Sequence, residues 1–225
     1  MKKTKKLVIV GDSAFAEIVR EYFDVDTEYE VVAFAVESAY LKRQELRGLP
    51  VTPFETLAQT HSPAEHDIYV AIVYTQLNRL RTRLAQTAKA HGYKLASYVS
   101  PRAFVWRNVE IGEHCFIFED NTVQPFVKIG NNVVLWSGNH IGHHSVIRDN
   151  CFIASHAVIS GFCDIGENTF IGVNATLANN VTIGKDNWIG PNAAIMKNTE
   201  IGALYKTEQP EPAKISAPRF FKIKE

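Results

Sequence analysis

From Val99 onward, every sixth residue of this chain is aliphatic. Steps of six give Val99, Val105, Ile111, Ile117, Val123, Ile129, Leu135, Ile141 and Ile147. The register continues without an insertion through Ile153, Ile159, Ile165, Ile171, Leu177, Ile183, Ile189, Ile195 and Ile201. A six-residue repeat is the signature of a parallel β-helix, in which each hexapeptide supplies one short strand and one corner. The aliphatic side chain points inward. Four positions later the residue is usually small (Cys115, Ser145, Cys151, Ala157, Cys163, Thr169, Ala175), filling the space beside it. Three hexapeptides close a triangular coil, so residues eighteen apart stack at roughly 4.8 Å. All three cysteines of the chain occupy the small inward slot. With no CxxC pair, they read as free core thiols of a reducing compartment, and Cys115 and Cys151, two coils apart, lie beyond disulfide reach.

Before Val99 the pattern is different. KLVIVG (residues 6–11), EVVAFAV (30–36) and IYVAIV (68–73) read as buried strands, and AFAEIVREYF (14–23) as a helix with one apolar face. Residues 38–48 and 54–59 read as weaker helical segments around the short strand LPV. A helix is expected over 75–91, ended by Gly92, with KLASYV returning as a strand. Strands alternating with helices predict a small parallel α/β sheet, Rossmann-like in layout. The expected organisation is therefore an α/β domain over 1–98, an all-β parallel β-helix over 99–204, and a proline-rich tail over 205–225 that caps the open end of the solenoid.

Composition narrows the function classes. Twenty-four basic residues balance twenty-four acidic ones, which argues against nucleic acid or an anionic membrane as the main partner. The apolar run LVIVG stops at Asp12, too short for a signal peptide or a transmembrane span, so a cytoplasmic protein is expected. GDSAFAEI after the first strand lacks the GxGxxG fingerprint, which argues against a dinucleotide-dependent oxidoreductase.

The chemistry-bearing stretch is SGNHIGHHSVI (137–147), with three histidines in five positions. Such a cluster can bind metal, run acid/base chemistry or line a wet groove. The solenoid histidines are His114, His140, His143, His144 and His156, and no two are five apart, the spacing of the zinc-binding γ-class carbonic anhydrases that share this repeat. No metal site is expected. His114 and His156 read as structural or interface residues.

The hexapeptides, together with the preceding α/β domain, resemble the left-handed β-helix acyltransferases, and the layout is similar to the PglD/NeuD-like sugar N-acyltransferases. The resemblance implies left-handed coiling and a homotrimeric, cytoplasmic enzyme. It implies acetyl-CoA-dependent N-acetylation of a nucleotide-linked (UDP- or dTDP-) amino sugar in bacterial lipopolysaccharide, O-antigen or other surface glycan biosynthesis. The family's I-x-H-[ED]-x-V-I stretch corresponds to IGHHSVI, making His143 the general base and placing His144 where the family carries a carboxylate. The family glycine one coil on corresponds to Gly161, whose amide would face the thioester carbonyl. The CoA would lie against Phe152, His156, Gly161, Gly172 and Gly190. Phe152 stands where the family has a histidine, and Trp136 where it has an asparagine. The nucleotide sugar would be held by Gly11, Asp12, Ser13, Ala14 and Phe15 at the start of the first helix, with Glu37 at the ribose or base. A sugar O-acetyltransferase, a non-catalytic β-helix scaffold and a carbonic-anhydrase-like metalloenzyme are the alternatives on the same fold.

Overall fold

The computed structural model describes residues 2–223. In the N-terminal domain, strands β1 (Lys5–Val10), β2 (Tyr29–Val36), β3 (Glu45–Leu46), β4 (Leu49–Pro53) and β5 (His66–Val70) form a sheet ordered β3-β4-β2-β1-β5. All pairings are parallel except the β3–β4 hairpin. The central strand β1 carries Leu7 to Val10 fully buried, as expected where both faces of a parallel sheet are covered. Helix α1 (Ala14–Asp26) buries Phe15, Ala16, Val19 and Phe23. Residues 38–48 are not one helical segment. Only Ser38–Tyr40 forms a 3₁₀ turn, because Arg47 (φ 49°) and Gly48 (φ 80°) turn the chain into the β3–β4 hairpin. Phe54–Gln59 is 3₁₀ as well. The helix expected over 75–91 begins only at Arg79 (α2, Arg79–Ala90), since Gln76, Leu77 and Asn78 form a left-handed turn with φ of 53°, 47° and 66°. Of KLASYV, Leu95 makes a single bridge to Ile68, and Tyr98–Val99 already belongs to the solenoid.

The solenoid is a left-handed β-helix of two-residue strands, paired in parallel with the strand eighteen residues away up to its last coil. Face I runs from Tyr98–Val99 through Phe116, Val134, Phe152 and Phe170 to Trp188–Ile189 and Leu204–Tyr205. Face II runs from Phe104–Val105 to Ala194–Ile195, and face III from Glu110–Ile111 to Thr182–Ile183. The inward aliphatics and the three cysteines form one continuous core. Burial pushes the thiols of Cys115 and Cys151 up to about 11 and about 12, so at neutral pH they are neutral packing groups. From His114 to Asn192 the corner residue of every hexapeptide has a positive φ, mostly at asparagine or aspartate.

The repeat leaves register one step earlier than the periodicity suggests. Trp188 pairs with Leu204, sixteen residues on, so the last coil is two residues short and Tyr205 stacks on Ile189. Ile201 is 67% exposed. The tail does not cap the solenoid either: residues 206–223 are exposed throughout, including the short helix α3 (Ala217–Phe220).

The two domains share one interface. The outward column of face I is aromatic at Tyr98, Phe116, Phe152, Phe170 and Trp188, and α1 packs onto it through Phe15, Tyr22 and Phe23. Helix α2 lies along the corner between faces III and I. There Arg81, fully buried, donates to Oδ1 and the carbonyl of Asn132, both at 2.9 Å. His114 accepts from the Val70 N–H at 2.9 Å and donates from Nδ1 to Asn132 Oδ1 at 2.8 Å. Burial, and then the nearby guanidinium of Arg81, push His114 down to about 3, so it stays neutral. The structural role expected for His114 is the one it has.

Candidate active site

His143 and His144 occupy the corner between faces II and III, and both are exposed. The His143 N–H donates to Gln124 Oε1 at 2.9 Å, its carbonyl accepts from Phe162 N–H at 3.0 Å, and the His144 N–H donates to the Pro125 carbonyl. The corner is thus tied to the coils on both sides. The two imidazoles meet through Nδ1 and Nδ1, 3.1 Å apart, with the rings at 89°. Nε2 of His143 is left for chemistry. The ring of His143 lies across Gly161 in the next coil: a Cβ there would sit 2.9 Å from Cε1 and 3.0 Å from Nε2. Gly161 therefore leaves room for the ring of His143.

The oxyanion role expected of Gly161 is not what its amide does here. That N–H already donates to Asn179 Oδ1 at 2.9 Å, part of a recurring ladder in which an Asn or Asp of one coil accepts from the amide of its neighbour. The histidine cluster also separates. His140 lies outward on face II between Thr122 and Val158. His156 stands at the corner between faces I and II, its ring filling the space over Gly138. Only His143 and His144 touch each other. Phe152 is not placed for CoA: it is 4% exposed beneath the N-terminal domain, among Tyr74, Trp136 and Phe170. Trp136 is likewise packed on Phe15 and Phe118, at 5.3 and 4.4 Å. Gly172 and Gly190 are buried where the next strand passes, with backbone atoms within 2.6–2.8 Å of any added Cβ, so coil spacing accounts for them. Among the described residues no three His, Cys, Asp or Glu side chains converge as a metal site.

A cleft of about 550 Å³ lies at the carboxyl ends of β1 and β2. It is lined by Gly11, Asp12, Ser13, Glu37, Thr75 and Gln76, among others. Open α/β sheets bind ligands at this end. Gly11 is obligatory there, with φ 126° and a would-be Cβ only 2.8 Å from the Ala71 carbonyl. Glu37 faces the cleft, gripped by both Nη atoms of Arg83 at 2.7 and 2.9 Å, and that guanidinium holds its carboxyl below the usual range. Asp12 pairs with Arg43. Two of the expected residues fall away: Ala14 does not line the cleft, and Phe15 points to the solenoid, where it packs against Phe116 and Trp136. Arg83 was not singled out from sequence; its helix begins four residues later than expected, and that placement turns it to Glu37.

In a triangular prism the corner between faces II and III stands opposite face I, and face I carries the N-terminal domain. Face II itself is free of formal charge along its outward positions Phe104, Trp106, Thr122, Gln124, His140, Val158, Ser160, Thr176, Ala178, Ala194 and Met196. Face III carries the ion pairs Glu110–Lys128 and Asp164–Arg148.

The repeat and the fold are similar to those of solved left-handed β-helix acetyltransferases, as the resemblance implied. Residues 108–143, 126–161 and 144–179 match the family described as "Bacterial transferase hexapeptide (six repeats)". Among solved structures, the acetyltransferase domain of PglB from Neisseria gonorrhoeae superposes with a TM-score of 0.80 at 24% identity, covering 89% of this chain and 96% of that one. PerB from Caulobacter crescentus, in complex with CoA and GDP-perosamine, gives 0.78 at 25% identity, with 88% and 92% covered. WeeI from Acinetobacter baumannii gives 0.69 at 21%, with 89% and 96% covered. No curated protein sequence matches the chain.

Proposed function

We propose that the protein is an acetyl-CoA-dependent N-acetyltransferase of a nucleotide-linked amino sugar, serving bacterial surface-glycan synthesis in the cytoplasm as a homotrimer. The observation that carries this is the stack of His143 over Gly161, eighteen residues on, with Nε2 left open at an exposed solenoid corner. The neutral amine of the sugar attacks the thioester carbonyl carbon, the C–N bond forms, and the C–S bond breaks as CoA thiolate leaves. His143 Nε2 takes the proton lost by the amine and returns one to the thiolate. The Gly161 amide can stabilise the oxyanion only if Asn179 turns away. The cleft around Gly11 and Glu37 would hold the nucleotide, and because PerB is seen with GDP-perosamine the candidates widen from UDP and dTDP to GDP. The uncharged face II supports trimer formation, since charge depletion marks interface cores.

The test is thiol release from acetyl-CoA in the presence of UDP-, dTDP- and GDP-linked amino sugars. His143→Ala should lower kcat by roughly 10²–10⁴ with little change in KM for acetyl-CoA. Transfer to a hydroxyl but not to an amine would replace this reading by the O-acetyltransferase. Loss of activity with EDTA and recovery with zinc would replace it by the metalloenzyme.

A further inference from the structure

One column of the solenoid breaks the corner rule. At the corner between faces II and III, successive coils present Phe126, His144 and Phe162, with φ of 65°, 60° and 58°. Elsewhere from His114 to Asn192 these left-handed corners hold Asn, Asp, Gly or His; phenylalanine stands at only two, and they bracket His144. A bulky side chain with positive φ is an outlier. Burial does not offset it, because Phe126 and Phe162 are 55% and 53% exposed.

What the two rings do is hold an imidazole. His144 lies between them, 4.6 Å from Phe126 at 30° and 4.8 Å from Phe162 at 19°. Phe162 also meets His143 edge-on, at 5.0 Å and 88°. With the His144 plane fixed, its Nδ1 faces Nδ1 of His143 at 3.1 Å. Two neutral imidazoles share one proton across that contact. If the proton sits on His143, Nε2 of His143 is a free base. If it sits on His144, then His143 carries its own proton on Nε2 and cannot accept another. Tautomer and activity are therefore one choice. When His143 becomes imidazolium, its Nδ1–H leans on a ring whose two faces touch aryl π-clouds, which attract positive charge. The aryl pair takes over part of the work a carboxylate would do.

We propose that Phe126 and Phe162 are positioning residues: they clamp His144 so that it accepts from His143 Nδ1–H and leaves Nε2 of His143 as the base. The proposal rests on the acetyltransferase reading above. Its test uses the full-length protein labelled with ¹⁵N, recording the imidazole nitrogen shifts of His143 (assigned by their loss in His143→Gln) together with kcat. Wild type should show His143 protonated on Nδ1. The pair Phe126→Ala and Phe162→Ala should mix the tautomers and lower kcat roughly tenfold, with KM for acetyl-CoA within about twofold. The pair Phe126→Tyr and Phe162→Tyr should restore both readouts. Unchanged shifts and kcat in the alanine pair, or no restoration by tyrosine in a folded protein, would overturn the clamp. If the shifts respond as expected but no acetyl transfer occurs in wild type, the clamp stands and the functional reading falls.

Discussion

Gly161 and His143 are a residue pair in which the smaller member sets the geometry. The His143 ring rests where any Cβ at 161 would be, 2.9 Å from Cε1. Gly161 does not have a positive φ, so alanine is acceptable to the backbone and the strain falls on the imidazole. Gly161→Ala should therefore shift the Tm by no more than about 2–4 °C, equivalent to about 1 kcal/mol. Moving a reacting group by an ångström costs about 10²-fold in rate, so kcat should fall by that order. Equal thermal and kinetic damage would mean that the glycine is there for coil stacking alone. At this scale the sequence was only partly legible. The eighteen-residue offset identified the partner of His143, but an amide's hydrogen-bond state depends on the coil beyond, so the commitment of Gly161 to Asn179 was hidden. Phe126 and Phe162 had a readable signal, since they stand eighteen residues either side of His144. Reading them needed the knowledge that this column has left-handed φ.

Among elements, the meeting of α2 with the corner of faces III and I is the most polar buried contact in the interface. His114 is held neutral at about 3, against an ordinary value of 6.5. Between those values the unfolded chain binds a proton that the folded chain refuses. Stability therefore rises with pH through the window and is lost as pH falls below 6.5, by up to about 1.4 kcal/mol per unit. His114→Gln keeps a donor and an acceptor but does not titrate. Urea midpoints at pH 7.0 and 5.5 should drop in wild type and drop less in the variant; parallel drops would remove His114 as the cause. The aromatic column of face I shows why some expectations at this scale failed. Phe152 is expected near the CoA by family position, and Trp136 stands where the family has an asparagine, whereas each lies against an aromatic partner under the N-terminal domain. The column Tyr98, Phe116, Phe152, Phe170, Trp188 was visible as a covered face, had the outward positions been read with the eighteen-residue period. The left-handed turn at Gln76–Asn78 was not visible, because no glycine marks it.

At the scale of the whole molecule, the six-residue period established the solenoid because only an aliphatic residue fits the inward slot. It could not say which face the first domain would cover. That placement has a consequence for inheritance within an assembly. On the proposed reading, the nucleotide would be held at Gly11 and Glu37 on the domain that covers face I and the base would be His143 at the corner facing away from it, so a working centre would draw one half from each of two copies. Light scattering should give three times the 25.2 kDa chain mass; a stable monomer would sink the shared centre. Two defective proteins, one carrying His143→Ala and the other Gly11→Val, should each be inactive. Gly11→Val would close the cleft against the Ala71 carbonyl. Dissociated and reassembled together, they should regain a fraction of wild-type turnover, because some subunit pairings unite the intact cleft of one chain with the intact imidazole of the other. Activity that stays at zero in verified mixed assemblies would mean that each chain serves itself. If activity returns, an allele damaged in one half can be masked by an allele damaged in the other, so the catalytic unit is a pair of neighbours and the single chain has no activity of its own.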